Sequence, residues 1–232
     1  MAASKPQGSR RGALQSALRI LGWTLLVSGL VLLEFAAYLS WGTGLTASRE
    51  QRRLRDRFEQ LRISAQAESK GNANAVEWRV SEGEPIGRLE IPAIEVDAIV
   101  LEGVSHDVLA KGPGHIPETA LPGHAGNSVI SGHRTTYGAP FWNLDRLQPG
   151  DEIVVTTVEG TSKYRVTSTY VVFPNDTSVT APLKPGEKSL LRLTTCHPRF
   201  SASRRLVVEA ELVKSPREGG PCISCAARSA LA

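Results

Sequence analysis

The most constraining feature of this sequence is a long apolar segment near its N-terminus. Between Ile20 and Trp41 the only charged residue is Glu34, and leucine, valine and phenylalanine supply most of the bulk. A helix of this length spans roughly 33 Å, enough to cross a hydrocarbon core of about 30 Å. A cleaved signal peptide has a shorter apolar region, of roughly 7–15 residues. We therefore interpret the segment as an uncleaved transmembrane anchor.

Charge is distributed unevenly around this segment. The net charge is +6 over residues 1–79, −4 over 80–213 and +2 over 214–232. A nucleic-acid-binding protein carries its basic charge on the folded domain, and here that domain is mildly acidic. The composition therefore argues against a nucleic-acid partner. Arginines flank both ends of the anchor, and more of them follow it than precede it. The positive-inside rule therefore does not by itself place the domain outside the cell.

The amino-acid composition of the remaining chain changes from one segment to the next. Leu54, Phe58 and Leu61 recur at helical spacing in a segment of strong helix formers. From Pro85 onward the sequence turns to short β-type runs separated by Gly and Pro, with brief helical options only around Val108 and Phe141. We predict five segments: a disordered basic tail (1–19), the anchor (20–41), a helical stalk with a linker (42–84), a folded domain (85–213) and a flexible tail (214–232).

The folded domain is predicted to be mainly β. Its many short strands with few helices indicate a closed or nearly closed β-barrel with short helices. The predicted strands lie in the runs IGRLEIP, VDAIVLEGV, NSVISG, DEIVVTTVEG, SKYRVTSTYVVF, KSLLRLTTC and RRLVVEAELV.

Three cysteines could carry chemistry, and their settings differ. Cys196 ends the run LLRLTTC, so a strand delivers it to an accessible position, whereas Cys222 and Cys225 lie in the tail GGPCISC. A thiol reacts as its thiolate, which needs a nearby cation or base. Arg205 begins the strand that returns after a short loop, so it can lie beside Cys196. Its guanidinium would favour the thiolate and hold a developing oxyanion.

The histidines are weaker signals when taken alone. His133 follows the run NSVISG directly after Gly132, which would let the backbone turn and point the imidazole into a cleft. His115 in a Pro/Gly loop is expected to be structural or to line the wall of a cleft, and His124 is expected to be solvated. His197 is a poor partner for Cys196, because adjacent side chains of an extended segment face opposite ways. Spacing alone favours a structural role for each histidine.

Longer motifs around His133 and Cys196 carry more information than the single residues. The chain from Pro85 to Val213 resembles a sortase over its whole catalytic domain. The resemblance rests on a Thr-Thr-Cys element at a strand end, an upstream Gly-His pair and an Arg that opens the next strand. The segments GHRTTYGAPFWNLD and TTCHPRFSASRR are most similar to class E sortases, with class D second.

This resemblance implies a set of roles. Cys196 would be the nucleophile, His133 the general acid and base, and Arg205 the transition-state stabiliser, while Thr195 would add a polar contact to the bound peptide. Strand alternation puts Arg204 on the opposite face from Arg205. His115 and Asn127 match family positions taken as structural. The three catalytic groups are expected to meet at one mouth of the barrel.

The resemblance also implies an activity. A sortase cleaves an LPXTG- or LAXTG-like sorting signal between Thr and Gly through a thioacyl-enzyme, and transfers the secreted protein to an amine of a peptidoglycan precursor or a pilin. We expect no metal and no cofactor. The catalytic domain would lie on the extracytoplasmic side of the cell membrane, with residues 1–19 in the cytoplasm.

Three other readings stay open at this point. A membrane-tethered thiol hydrolase or unrelated cysteine protease would use the same Cys and His but release its product to water. A redox protein would use Cys222 and Cys225, although such a pair normally sits at a helix N-terminus within an α/β unit. An inactive interaction module would have an unreactive Cys196.

Overall fold

The computed structural model describes residues 8–38, 43–71 and 80–216. The chain divides into two compact units, Met1–Gly42 and Thr43–Ala232. Several sequence predictions fall wholly or partly outside these ranges: the first seven residues of the basic tail, most of the linker, and the flexible tail beyond residue 216 with its Cys222–Cys225 pair.

The first unit contains one long helix, α1, from Gly8 to Ala37. Its stretch Leu14–Ala36 has a mean hydropathy of 1.8, and none of that stretch is buried. By length and composition this helix could cross a membrane. It begins within the segment predicted to be a disordered tail, because alanine and leucine continue the helix-favouring composition back beyond Ile20.

The second unit opens with helix α2, Thr43–Gly71, which corresponds to the predicted stalk. Leu54 and Phe58 are buried, and they pack against Ile99, Leu101 and other apolar residues of the barrel. The side-chain amide of Gln51 bonds both the N–H and the carbonyl of Ile99, at 2.7 and 3.1 Å. The helix is therefore part of the folded domain. The predicted boundary at residue 85 had instead implied a free-standing spacer.

The described residues form eight strands: β1 Pro85–Ile91, β2 Val96–Glu102, β3 Gly114–His115, β4 Asn127–Ser131, β5 Glu152–Thr157, β6 Gly160–Val172, β7 Leu190–His197 and β8 Arg204–Lys214. They close into a barrel in the order β1-β2-β3-β4-β7-β8-β6-β5, which confirms the predicted barrel. Most neighbours are antiparallel, but β2 with β3 and β4 with β7 are parallel. A short helix, α3, spans His106–Leu109, and three 3-10 turns cover Pro92–Ile94, Leu144–Arg146 and Thr177–Val179.

Alternation along the strands separates two apolar faces. Ile130 of β4, Leu193 of β7 and Val208 of β8 belong to the main core inside the barrel. Val129 and Val207 point the other way and pack with Val179 of the β6–β7 loop. The outward face of β4, β7 and β8 thus has its own apolar cluster beneath a loop.

Candidate active site

Cys196 lies next to the last residue of β7, on the outward face of the barrel. It alternates with the core residues Leu191 and Leu193, and it is partly exposed and forms no disulfide. Its antiparallel partner on β8 is Arg205. Directly paired residues project to the same face with Cβ atoms about 5 Å apart. The register therefore starts the two side chains opposite each other on the outward face.

The parallel pairing of β4 with β7 brings His133 to the same place. Ser131 pairs with Thr194, and the Gly132 N–H continues the ladder by donating to the Thr194 carbonyl at 3.0 Å. Counting on one more position, His133 falls level with Cys196. All three predicted catalytic residues therefore share one end of the β4–β7–β8 surface. That shared surface is the outward face near the strand ends, not the mouth of the barrel expected from the sequence.

Gly132 serves a different purpose from the one predicted. Its φ is not in the left-handed region, so the turn does not require glycine. A Cβ at this position would lie 2.7 Å from the ring of Phe141. The Phe141 N–H also donates to the His133 carbonyl at 3.2 Å. Glycine is needed here because Phe141 packs directly on the backbone that carries His133.

The imidazole of His133 is half-buried, and its Nε2 atom is buried without a hydrogen-bond partner among the described residues. Burial lowers the pKa of His133 below its ordinary value, and the nearby His106 lowers it further. The neutral imidazole is therefore favoured near neutral pH, and the imidazolium that an acid catalyst needs is a minority form.

Arg205 is partly buried and held by its own loop. Its Nη1 group donates to the carbonyls of Ala202 and Arg204 at 3.0 and 3.1 Å. Within the described chain its Nε and Nη2 groups make no hydrogen bond, so they are available to an incoming oxygen. Arg204 points to the other face, is exposed, and lies over the ring of Phe173 at 4.3 Å. The predicted alternation of the two arginines agrees with this arrangement.

Thr195 occupies a different position from the one predicted. Its side chain is on the inward face and only 2% exposed, and its hydroxyl donates to the Gly132 carbonyl at 2.7 Å. A direct contact with a bound peptide is not compatible with this placement, because alternation turns Thr195 away from the face of Cys196. We correct its role to a structural one: its hydrogen bond joins the segment before His133 to β7, the strand that carries Cys196.

Loss of the hydrogen bond between Thr195 and Gly132 is expected to lower the stability of the fold. Thr195→Val keeps the shape but leaves the buried Gly132 carbonyl unpaired, which we expect to cost about 1–3 kcal/mol. The thermal midpoint of the detergent-solubilised protein should fall by about 2–4 °C for each kcal/mol. Thr195→Ser keeps the hydroxyl and is the matched control. Equal thermal midpoints for the valine and serine variants would contradict a stabilising role of this hydrogen bond.

No role was predicted for Arg134, which is buried at 2% exposure. Its guanidinium pairs with Asp145 at 2.9 Å, reaches the Cys196 carbonyl at 3.4 Å, and donates to Nδ1 of His197 at 2.9 Å. Arg134 therefore holds the backbone of Cys196 from the inward side. An arginine beside the Gly-His pair was the only sequence signal, and nothing in the sequence indicated its partners.

The remaining histidines have other partners. His115 is buried, with Nδ1 2.8 Å from a Glu102 carboxylate oxygen and Nε2 2.9 Å from the Ala120 carbonyl, which supports a structural role. His124 was expected to be solvated, but its Nε2 lies 3.0 Å from Glu159 and it is only partly exposed. Arg134 engages His197 on the inward side, as alternation predicted.

The loop between β6 and β7 covers the far end of the outward face. Asn127 donates from Nδ2 to the carbonyls of Val179 and Ala181, both at 2.9 Å. Arg192 donates to the carbonyls of Ser178 and Val179 at 3.2 and 3.1 Å. These bonds hold the loop as a wall beside the strands that carry the site. In the described ranges, no group of three or more His, Cys, Asp or Glu side chains is arranged to hold a metal ion.

Comparison with known proteins identifies the family. Residues 89–213, more than half of the chain, match the family described as the sortase domain. The chain is 30% identical to sortase SrtE2 of Streptomyces coelicolor over 88% of its own length and 85% of that protein. It is also 30% identical to sortase SrtE1 of the same organism, but spans only 61% of that protein.

Solved structures give the same result. A sortase D5 transpeptidase of Clostridium perfringens is 29% identical and superposes with a TM-score of 0.62, covering 72% of this chain and 99% of that one. Sortase E of Streptomyces avermitilis is 38% identical with a TM-score of 0.52, covering 60% of this chain and 95% of that one. Both the class E and the class D likenesses seen in the sequence are thus present.

Proposed function

The chain belongs to the sortase family, and on this premise we propose that it is a membrane-anchored cysteine transpeptidase with Cys196 as its nucleophile. The observation that carries the proposal is the strand register, in which Cys196 and Arg205 are directly paired and His133 falls level with them. A thiol, a fixed cation and an imidazole on one partly exposed face form the minimal set for acyl transfer through a covalent intermediate.

In the first half-reaction the Cys196 thiolate attacks the Thr carbonyl of a sorting signal of the LPXTG or LAXTG type. The free N–H groups of Arg205 stabilise the oxyanion that forms, and a permanently charged guanidinium also favours the thiolate. His133 as imidazolium gives a proton to the leaving Gly amine. The C–N bond breaks, and the acyl group remains on sulfur as a thioester.

In the second half-reaction an amine attacks the thioester, and neutral His133 accepts the amine's proton. The thiolate leaves, and an amide replaces the thioester. Because burial lowers the pKa of His133, the thiolate–imidazolium form is a small fraction of the enzyme. Slow turnover is the expected consequence.

The helix α1 supports an assignment to the cell membrane. Proteins with sorting signals emerge through that membrane, and the acceptor is bound to the membrane as well. On this ground we assign the catalytic domain to the extracytoplasmic side, although the arginines around α1 do not indicate it. The acceptor is a peptidoglycan precursor amine or a pilin lysine. The resemblance to class E favours an LAXTG-like signal.

Product analysis separates transpeptidation from the rival hydrolase. The detergent-solubilised protein is incubated with an LAXTG peptide, with and without a small amine such as oligoglycine, and products are identified by mass. We expect cleavage between Thr and Gly, and a joined peptide–amine product that grows with amine concentration. Cleavage that yields only the free acid at every amine concentration would favour a thiol hydrolase instead.

A further inference from the structure

The catalytic imidazole lacks the usual support. Among the described residues, neither ring nitrogen of His133 takes part in a hydrogen bond, and no carboxylate orients the ring. By contrast, the structural His115 is bonded through both ring nitrogens. A general acid and base is normally held by a partner on its second nitrogen. Some other contact has to hold the ring of His133.

Tyr137 supplies that contact. Its ring lies against the imidazole of His133 with the centroids 4.9 Å apart and the planes tilted by 39°. On its other side Tyr137 meets His106 edge-on, with centroids 5.7 Å apart and its hydroxyl 3.2 Å from Nε2. Three aromatic rings thus form a row that begins at the catalytic histidine and ends at α3.

The backbone at Tyr137 is unusual. Tyr137, Gly138 and Ala139 have φ values of 52°, 76° and 46°, all in the left-handed region. A bulky residue in this region is strained, and such strain persists only where surrounding contacts enforce it. The Ala139 N–H closes the turn by donating to the Thr136 carbonyl at 2.8 Å. The strained turn is what aims the tyrosine ring at His133.

Helix α2 supports this turn from behind. A Cβ added at Gly138 would lie 3.6 Å from the Cβ of Ala47, and one added at Gly44 would lie 3.9 Å from Gly138. Ala47 is only 4% exposed. Beside this contact, a cavity of about 540 Å³ is lined by residues of α2, among them Ala47, and by the turn from Tyr137 to Ala139. The turn is therefore packed against the start of α2 at Gly138.

We propose that Tyr137 is a positioning residue for the transpeptidation reaction, which holds the ring of His133 by stacking and is held in turn by His106 and α2. The inference rests on the proposed function, in which His133 must face both the leaving amine and the incoming amine. A stacked ring restricts rotation of the imidazole without occupying either nitrogen, so both remain free to move protons.

The test compares Tyr137→Asn with Tyr137→Phe. Asparagine tolerates the left-handed region better than tyrosine, so this variant removes the ring and also relieves the backbone. We expect kcat with an LAXTG peptide and oligoglycine to fall about tenfold to a hundredfold, with little change in KM for the peptide. Tyr137→Phe keeps the stacking ring and should keep most of the activity. His106→Ala, at a side chain 71% exposed, removes the partner of the hydroxyl and should lower kcat by a smaller factor.

A readout other than activity accompanies the kinetics. Burial is the largest cause of the lowered pKa of His133, so removal of the tyrosine ring should admit water and raise that pKa in Tyr137→Asn, but not in Tyr137→Phe. NMR titration of the His133 ring measures this directly. An asparagine variant with the wild-type kcat and the wild-type His133 pKa overturns the inference. An inactive wild-type protein would instead overturn the proposed function, and the titration would still decide the role of Tyr137.

Discussion

Replacing Cys196 with alanine is expected to abolish formation of the joined product while leaving the fold unchanged. The thiol is the only proposed nucleophile, and loss of a covalent nucleophile typically lowers kcat by about 10⁴-fold or more. Cys196 is partly exposed on the outward face and outside the main core. Loss of its sulfur therefore removes little packing. The variant should have the wild-type thermal midpoint, and its product should be undetectable by mass spectrometry.

The other two cysteines provide the matched control. Cys222 and Cys225 lie in the tail, outside the match to the sortase domain. The double variant Cys222→Ser with Cys225→Ser should join peptide to amine at the wild-type rate. Activity that persisted in Cys196→Ala but disappeared in the double variant would instead support chemistry at the tail thiols.

The second large effect is expected at Arg205. Its free N–H groups would face the developing oxyanion, and removal of one such donor typically costs about 10²–10³-fold in kcat. Arg205→Ala should therefore lower kcat by this factor, with a smaller effect on KM for the peptide. Single-turnover acylation, followed by release of the Gly-containing fragment, isolates the step in which the oxyanion forms.

Arg204 offers a control of the same charge one residue away. It is exposed and lies over Phe173 on the opposite face, so Arg204→Ala should leave acylation nearly unchanged. This pair separates a local oxyanion contact from a general effect of positive charge. Equal losses in both variants would show that charge, and not the position on the strand, is what matters, and would remove Arg205 from the mechanism.

The parts of this structure that follow a period of two could be predicted from the sequence. Short runs of β-favouring residues bounded by Gly and Pro indicated the barrel strands, and alternation along them separated Arg204 from Arg205 and His197 from Cys196 correctly. The same rule put Thr195 on the opposite face from Cys196. The expected peptide contact of Thr195 ignored that rule because it rested on the resemblance alone.

Contacts between segments that are distant along the chain could not be predicted from the sequence. The burial of Leu54 and Phe58 against the barrel depends on where α2 docks, and helical periodicity shows only that one face is apolar. Arg134 likewise contacts Cys196 and His197 of β7, which lie 62 and 63 residues further along the chain. The row of rings behind His133 depends on positive φ values at Tyr137 and Ala139, which local propensity disfavours for these residues.

The central claim is that the thiol of Cys196 carries the acyl group between the two half-reactions. The most direct test is the intact mass of the protein after incubation with an LAXTG peptide and no amine. We predict one adduct equal to the peptide fragment ending in Thr, linked through its carbonyl to Cys196 and lost when oligoglycine is added. Joined product with no such adduct on the wild-type protein, or the same adduct on Cys196→Ala, would contradict the account.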